Sequence, residues 1–327
     1  MRQSPLQKSP RLSRALRTPV VAPKHGRPQR IICYWDASEL SFELLDAAGA
    51  VMETRRVAAP AVSTEIPRQL DESLEPWNRR YGKLPVTLAG LPVALDGNWN
   101  VKPSKCPINI ADIPDTVVRL GSDDREISLI PGLTCSTPVG SPDYLFGEET
   151  ALLGASKLFP GLVRRSKLVC IPGEITRWIV LRHGHILFFT SSIPCSIFRM
   201  LKSDPLFQAG AGSPIINAEV FSRGAAKAEE TASTDLIHLL LQVRNRKLKA
   251  QLAASDMASY LLGMLIGRDV SEAVELLQLR RLRAHMVLLA DSSLGSLYEN
   301  ALAAQGLRAT RIDLAPAISL GLSQVNP

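Results

Sequence analysis

One pattern occurs twice in this chain. Ile32-Cys-Tyr-Trp-Asp-Ala-Ser-Glu-Leu-Ser-Phe-Glu-Leu-Leu reads as an apolar strand, a short loop and the first arm of a hairpin, and Val169-Cys-Ile-Pro-Gly-Glu-Ile-Thr-Arg-Trp-Ile-Val-Leu repeats that order 137 residues later. A duplicated strand–loop–strand unit predicts an α/β protein of two similar lobes with a cleft between them. The alternative is a chain of unrelated hairpins, since any α/β sequence holds several. The 327 residues suit two domains of about 150 residues each, and they suffice for a core without disulfide or metal staples.

Alternation and turn residues set the coarse elements. In the first half, strands are expected at Ile31–Trp35, Phe42–Leu45, Ala50–Arg55, Pro85–Gly90 and Ile127–Pro131, with helices at Glu65–Asn78 and Gly147–Leu158. Glu148 and Glu149 fall in the first turn of the latter helix, where its dipole favours acid. In the second half, strands are expected at Lys167–Pro172, Arg177–Arg182, His185–Thr190, Ala284–Ala290 and, at a sheet edge, Leu307–Ile312. Helices are expected at Ser196–Leu201, Asp235–Leu252, Asp256–Gln278 with Ser255 as N-cap, and Leu294–Gln305. The expected organisation is a disordered basic tail over residues 1–30, an N-terminal lobe over 31–165 and a C-terminal lobe over 166–327.

Charge is distributed unevenly. Residues 1–30 hold eight basic and no acidic residues, so a net charge of +7 for the chain leaves −1 for residues 31–327. The folded body therefore lacks the basic face that nucleic-acid binding requires, and no nucleic-acid partner is expected. Five prolines in the first 30 residues argue against an amphipathic transit helix and for disorder. No apolar run reaches the roughly 18 residues of a membrane span, and no apolar signal region is present. The five cysteines are widely spaced, with no C-x-x-C, and read as reduced thiols of a cytoplasmic protein.

Several segments, in order, carry a resemblance: Leu88-Ala-Gly-Leu91, Ile130-Pro-Gly-Leu133, Gly147-Glu-Glu-Thr150 with Leu152-Leu-Gly-Ala155, Pro172-Gly173, Trp178, Val243-Arg244, Tyr260-Leu-Leu-Gly-Met-Leu-Ile-Gly267 and Ser292-Ser-Leu294 before Tyr298. On these, residues 31–322 resemble the 2-dehydro-3-deoxygalactonokinases, sugar-acid kinases of the actin-like ATPase (ribonuclease H-like) fold. The resemblance implies transfer of the γ-phosphoryl of ATP, with Mg²⁺, to a hydroxyl of 2-dehydro-3-deoxy-D-galactonate in galactonate catabolism. The partners implied are a small sugar acid and a nucleotide; a homodimer is left open.

By the same resemblance, Glu148, Glu149 and Asp36 are the candidate catalytic acids, and Asp36 is the candidate metal ligand. Ser38, Gly173, Thr176 and Arg177 would face phosphates. Gly90 and Gly147 would border the substrate, and Gly263, Gly267, Ser292 and Ser293 the nucleotide. For Glu148 and Glu149 the competing reading is a helix cap, and for Gly263 and Gly267 close helix packing.

The departures fall in polar loops. The family's first loop reads Asp-Trp-Gly-Ser-Thr-Asn-Leu-Arg, where this chain has Tyr34-Trp-Asp-Ala-Ser-Glu-Leu-Ser41; its second loop reads Pro-Gly-Thr-His-Ser-Lys-Trp, against Pro172-Gly-Glu-Ile-Thr-Arg-Trp178. An added carboxylate near a phosphate costs about 4 kcal/mol at 4 Å and an effective dielectric of 20. A kinase-fold sensor, regulator or remnant paralogue without phosphoryl transfer is therefore the alternative function.

Overall fold

The computed structural model describes residues 26–36, 38–59, 66–90, 101–121, 125–207, 216–231, 235–276 and 285–325. Most of the expected tail lies outside the described residues. Its last part does not: the first strand already begins at Pro28.

The strands in chain order are β1 (Pro28–Trp35), β2 (Glu39–Asp46), β3 (Val51–Ala58), β4 (Val86–Gly90), β5 (Ser104–Lys105), β6 (Ile108–Asn109), β7 (Val118–Gly121), β8 (Glu126–Leu129), β9 (Leu133–Ser136) and β10 (Pro142–Leu145), then β11 (Ser166–Ile171), β12 (Thr176–Arg182), β13 (His185–Ser192), β14 (His285–Leu289) and β15 (Ala309–Ile312). The helices among the described residues are α1 (Ile66–Ser73), α2 (Glu75–Tyr81), α3 (Glu148–Leu158), α4 (Pro194–Ser203), α5 (Ala218–Glu230), α6 (Leu236–Leu248), α7 (Met257–Leu276), α8 (Ser292–Ala304) and α9 (Leu314–Ser323).

Two large sheets have the orders β3-β2-β1-β4-β8-β7 and β15-β14-β11-β12-β13-β6. In each, an antiparallel three-strand meander continues into parallel strands from its first member: β4 on β1 and β8 on β4 in one, β14 on β11 and β15 on β14 in the other. The repeated motif is thus a repeated topology, that of the actin-like ATPase fold. A third sheet has the order β10-β9-β5, and its strands β9 and β10 contact β13.

Each large sheet is covered on both faces. Leu70 of α1, Leu74 between the helices and Trp77 of α2 pack on Ile31, Cys33 and Phe42. Phe221, Ile266, Val270 and Tyr298 of α5, α7 and α8 pack on Leu168, Cys170 and Leu288. The inner faces share one core: Ile32 and Ala89 from the first sheet and Val169, Ile171 and Ile179 from the second meet Ala151, Leu152, Ala317 and Leu322 of α3 and α9. α9, the last helix described, packs against α3, and Arg30 of β1 donates to the carbonyls of Ser323 and Val325 at 2.6 and 2.7 Å. Arg30 is thus part of the fold, not of the tail.

Differences from expectation have local causes. The expected helix Glu65–Asn78 is two helices with a break at Leu74, because Pro76 in the first turn of α2 has no N–H to continue α1. Ser255 does not stand at the N-cap of α7; it lies inside a 3₁₀ turn, Ala254–Asp256, that leads into the helix. α4 begins at Pro194, where proline is favoured because its missing donor is not needed. The His183-Gly184 turn forms as expected, with φ of +50° and +80°, the geometry of tight hairpins.

α3 and α9 cross at backbone contact distance. A Cβ on Gly154 would overlap the carbonyl oxygen of Ala317, and one on Gly321 would overlap that of Thr150. Gly321→Ala is expected to destabilise the protein by about 3 kcal/mol, read as a lower urea midpoint with an unchanged m-value.

Candidate active site

The cleft-side end of β1 carries Tyr34, which is half-buried. The loop closing β1 onto β2 is held by Asp36, whose Oδ1 accepts from Ser38 N (2.6 Å), Ser38 Oγ (2.9 Å) and Glu39 N (2.8 Å). Such a turn is what a short carboxylate side chain stabilises. Asp36 and Ser38 are both exposed on this loop.

Two glycines let the start of α3 approach β1. Gly90 ends β4 with φ +119°, and Gly147 precedes α3 with φ +106°. A Cβ on Gly147 would lie 2.7 Å from Tyr34 Cε2 and 3.0 Å from Gly90 Cα. Both positions therefore require glycine, and their close approach brings Glu148 and Glu149 beside Tyr34.

The two glutamates have different surroundings. Glu149 is fully buried, and both of its oxygens accept from Gly147 N, at 3.1 and 2.9 Å. Burial, and then the neighbouring Glu148 charge, push its pKa up to about 8. Glu148 accepts from Phe146 N at 2.8 Å and pairs with Arg177 Nε at 2.8 Å. Both carboxylates thus hold the backbone that leads into α3.

Arg177, on β12, joins the two halves of this site. Its guanidinium donates to Ser191 Oγ at 2.6 Å and lies 3.9 Å from Asp143 of β10, whose Oδ1 accepts from the same Ser191 hydroxyl at 2.8 Å. Tyr34 registers the whole cluster: burial raises its phenol well above the usual range, Glu148, Glu149 and Asp36 raise it further, and Arg177 opposes them. Tyr34, Asp36, Glu148, Glu149 and Arg177 therefore share one electrostatic environment.

The remaining candidates are more dispersed. Gly173 sits in the loop before β12, where a Cβ would meet Ile175 O at 3.3 Å. In the same loop Glu174 accepts from Ser196 Oγ at 2.8 Å and pairs with Arg199, so the acid gained there is matched by a cation. Thr176 is fully buried, with its hydroxyl 2.8 Å from Tyr298 Oη; it faces the core of the second sheet. Gly263 and Gly267 lie in the α5–α7 crossing, where Cβ atoms would overlap Phe221 O and sit 2.6 Å from Ala225 Cα. Ser292 and Ser293 are exposed at the start of α8. Asp291 caps that helix through Ser293 N (2.8 Å) and Leu294 N (2.9 Å). Burial opposes its charge, but these bonds and the Ser293 hydroxyl hold its pKa below the usual carboxylate range.

The 2-keto-3-deoxy-galactonokinase family model matches residues 35–325. The chain belongs to this family. It is similar, at 28% identity over 298 residues covering 88% of this chain and 94% of the relative, to DgoK1 of Rhizobium meliloti (strain 1021), described as a probable 2-dehydro-3-deoxygalactonokinase. It is also similar to a crystal structure from Sinorhizobium meliloti provisionally assigned the same name, with a TM-score of 0.79, 27% identity, and coverage of 90% of this chain and 97% of that one. Among the described residues, no helix of this galactonokinase-family protein is long and apolar enough to cross a membrane.

A second polar cluster escaped the sequence reading. Asp269 of α7 accepts from Trp178 Nε1 (3.2 Å), Tyr298 Oη (2.8 Å) and the Ser192 hydroxyl. Burial raises its pKa to about 6. It lines a cavity of about 490 Å³ together with Thr190, Ser192 and Glu272. The available signal was an acid at a core position of an apolar helix: Leu262, Ile266, Asp269 and Ala273 follow helical spacing, and the other three belong to the core.

Glu149 makes stability depend on pH. Its folded pKa of about 8 exceeds the ordinary glutamate value of 4.5, so the unfolded chain releases this proton first and stability falls as pH rises from about 4.5 to 8. Glu149→Gln is expected to remove this decline, on the order of a few kcal/mol between pH 5 and 9, as followed by urea unfolding across that range.

Proposed function

We propose that this protein transfers the γ-phosphoryl group of ATP to a hydroxyl of 2-dehydro-3-deoxy-D-galactonate, as part of galactonate catabolism in the cytoplasm. The observation that carries this reading is the convergence of Asp36, Glu148, Glu149 and Arg177 around the end of β1, in a chain of this kinase family. Residues 31–165 and 166–327 are taken as the two lobes, although α9 packs on α3 and β6 pairs with β13.

The two adjacent glutamates divide the acid–base work, because one is buried and the other is ion-paired. Glu149, with a pKa of about 8, is mostly protonated at neutral pH and holds the start of α3. Glu148, ion-paired with Arg177, accepts the proton of the substrate hydroxyl as the new O–P bond forms and the bond from the γ-phosphorus to the bridging oxygen of ADP breaks. Gly90 and Gly147 serve by seating the start of α3 against β1, beside Tyr34. The Gly173 backbone is suited to phosphate oxygens and Ser292 to the nucleotide, whereas the donors of Ser38 and Ser293 are engaged by Asp36 and Asp291.

Among the described residues, no three His, Cys, Asp or Glu side chains converge as a metal cage. Mg²⁺ fits nonetheless, since it is held by one or two carboxylates together with water and substrate phosphates. Asp36 is the suited ligand, because only its Oδ1 is used by the loop. Mg²⁺, when bound, neutralises charge on the transferring phosphate.

A second reading is a kinase-fold sensor, regulator or remnant without phosphoryl transfer. It is favoured by Tyr34, a half-buried phenol where the family's first loop has an acid. Purified protein with ATP and Mg²⁺ or Mn²⁺ is expected to phosphorylate the sugar acid, and Glu148→Gln to lower kcat by about 10²–10⁴-fold. No turnover, with no ATP binding by calorimetry, would overturn the kinase reading. Under the second reading, Tyr34→Asp is expected to increase ATP affinity with Mg²⁺ present.

A further inference from the structure

A second cavity lies behind the loop that joins β1 to β2. It measures about 250 Å³ and is bordered by Leu40, Arg55, Val57, Ala58, Gln69, Glu72 and Ser73. The strand register explains how these side chains meet. Arg55 of β3 stands opposite Phe42 and Val57 opposite Leu40, so all four share the face that α1 covers. α1 supplies Gln69, Glu72 and Ser73.

Two buried polar atoms on this cavity have no partner. Arg55 Nε, a donor, and Gln69 Oε1, an acceptor, make no hydrogen bond. Buried polar groups are nearly always satisfied, so an unpaired donor and an unpaired acceptor on one cavity point to an occupant offering both complements. The neighbouring Arg80 and Tyr81 are used by Glu53, and Glu72 is occupied by Arg68 at 3.0 Å. Arg55 is therefore the cation of this cavity whose charge is left for an incoming group. An arginine fork matches carboxylate and phosphate oxygens. The volume is just below the roughly 300–1,000 Å³ of sites for drug-sized ligands, which limits the occupant to a few carbon atoms.

We propose that this cavity is a binding site for a small hydroxylated anion, a carboxylate or a phosphate ester, with Arg55 Nε donating to the anion and Gln69 Oε1 accepting from a hydroxyl. The site is separate from the cluster around Tyr34 and does not depend on phosphoryl transfer. Its position gives it a route to that cluster. Leu40 follows the Asp36 loop directly, and Ala58 precedes Ala59, whose N–H donates to Ser38 O at 2.8 Å. An occupant would fix the strands that anchor the loop.

The test uses the full chain and four probes: glycerate and glycerol 3-phosphate, and their unhydroxylated counterparts propionate and propyl phosphate. Methyl and side-chain amide NMR would follow Leu40, Val57 and Gln69. A site of this kind is expected to bind at least one hydroxylated probe with a Kd of about 1 mM, with shifts confined to these residues. Arg55→Met is expected to weaken that binding at least tenfold. Gln69→Leu is expected to reduce the preference for the hydroxylated probe over its counterpart while leaving anion binding in place. Preference for glycerate or for glycerol 3-phosphate identifies the anion. Arg56→Met, on the exposed face of the same strand, serves as control and is expected to bind like the parent. The proposal fails if no probe shifts the cavity signals, which would mean that water alone satisfies the two atoms. It also fails if binding survives both Arg55→Met and Gln69→Leu in variants that melt like the parent.

Discussion

Everything at the candidate site depends on how closely α3 can be seated. At its start, Gly147 lies against Tyr34 and Gly90; near its middle, Gly154 lies against α9, which returns the favour through Gly321. Helices normally pack with axes 8–10 Å apart, at a spacing set by the side chains between them. Here the side chains are missing, and backbone meets backbone. That closeness lets a single helix serve as the wall between two sheets while pointing Glu148 and Glu149 at the end of β1. Burial of Glu149, and with it the elevated pKa, follows from the same seating.

Arg177 completes the arrangement from the other sheet. Ion pairs on a surface contribute little, but this guanidinium is nearly buried and is shared among Glu148, Ser191 and Asp143. It connects β12 to α3 and β10, so the two repeated units are joined at the cleft by charge as well as by the common apolar core. An arginine already engaged in this way has less to offer a phosphate. The same holds for Asp36, whose Oδ1 is used on its own loop. The residues that a kinase would direct at its ligands are here partly directed at one another.

How much of this was legible in the sequence varied with the type of signal. The strands of both meanders follow from alternating or continuous apolar runs, and the duplicated motif foretold the duplicated topology. α5 escaped notice because its buried face is built from Gly224, Ala225 and Ala228 beside Val220 and Phe221, so periodicity was faint. The short strands β5, β6, β9 and β10 hold two to four residues each, too few for a period. Gly263 and Gly267 were open to either of two readings, and only three-dimensional proximity to α5 reveals what their bare backbones touch. The cluster joins Tyr34 to Glu148, Glu149 and Arg177, all more than a hundred residues further on, and no local pattern encodes such a meeting. Asp269 left a trace, a carboxylate in an apolar stripe, that a stricter reading of the helix would have caught.

The contact between Arg30 and the carbonyls of Ser323 and Val325 has a consequence for the order of events during synthesis. Arg30 of β1 leaves the ribosome 293 residues before Ser323 and 295 before Val325, whose carbonyls it reaches. Until α9 emerges, Arg30 lacks these two acceptors, Gly154 lacks the backbone it packs on, and the inner face of the first sheet has only part of its cover. The first meander is therefore a waiting platform during translation, and its apolar inner face is the surface that a chaperone would shield while the remainder of the chain is made.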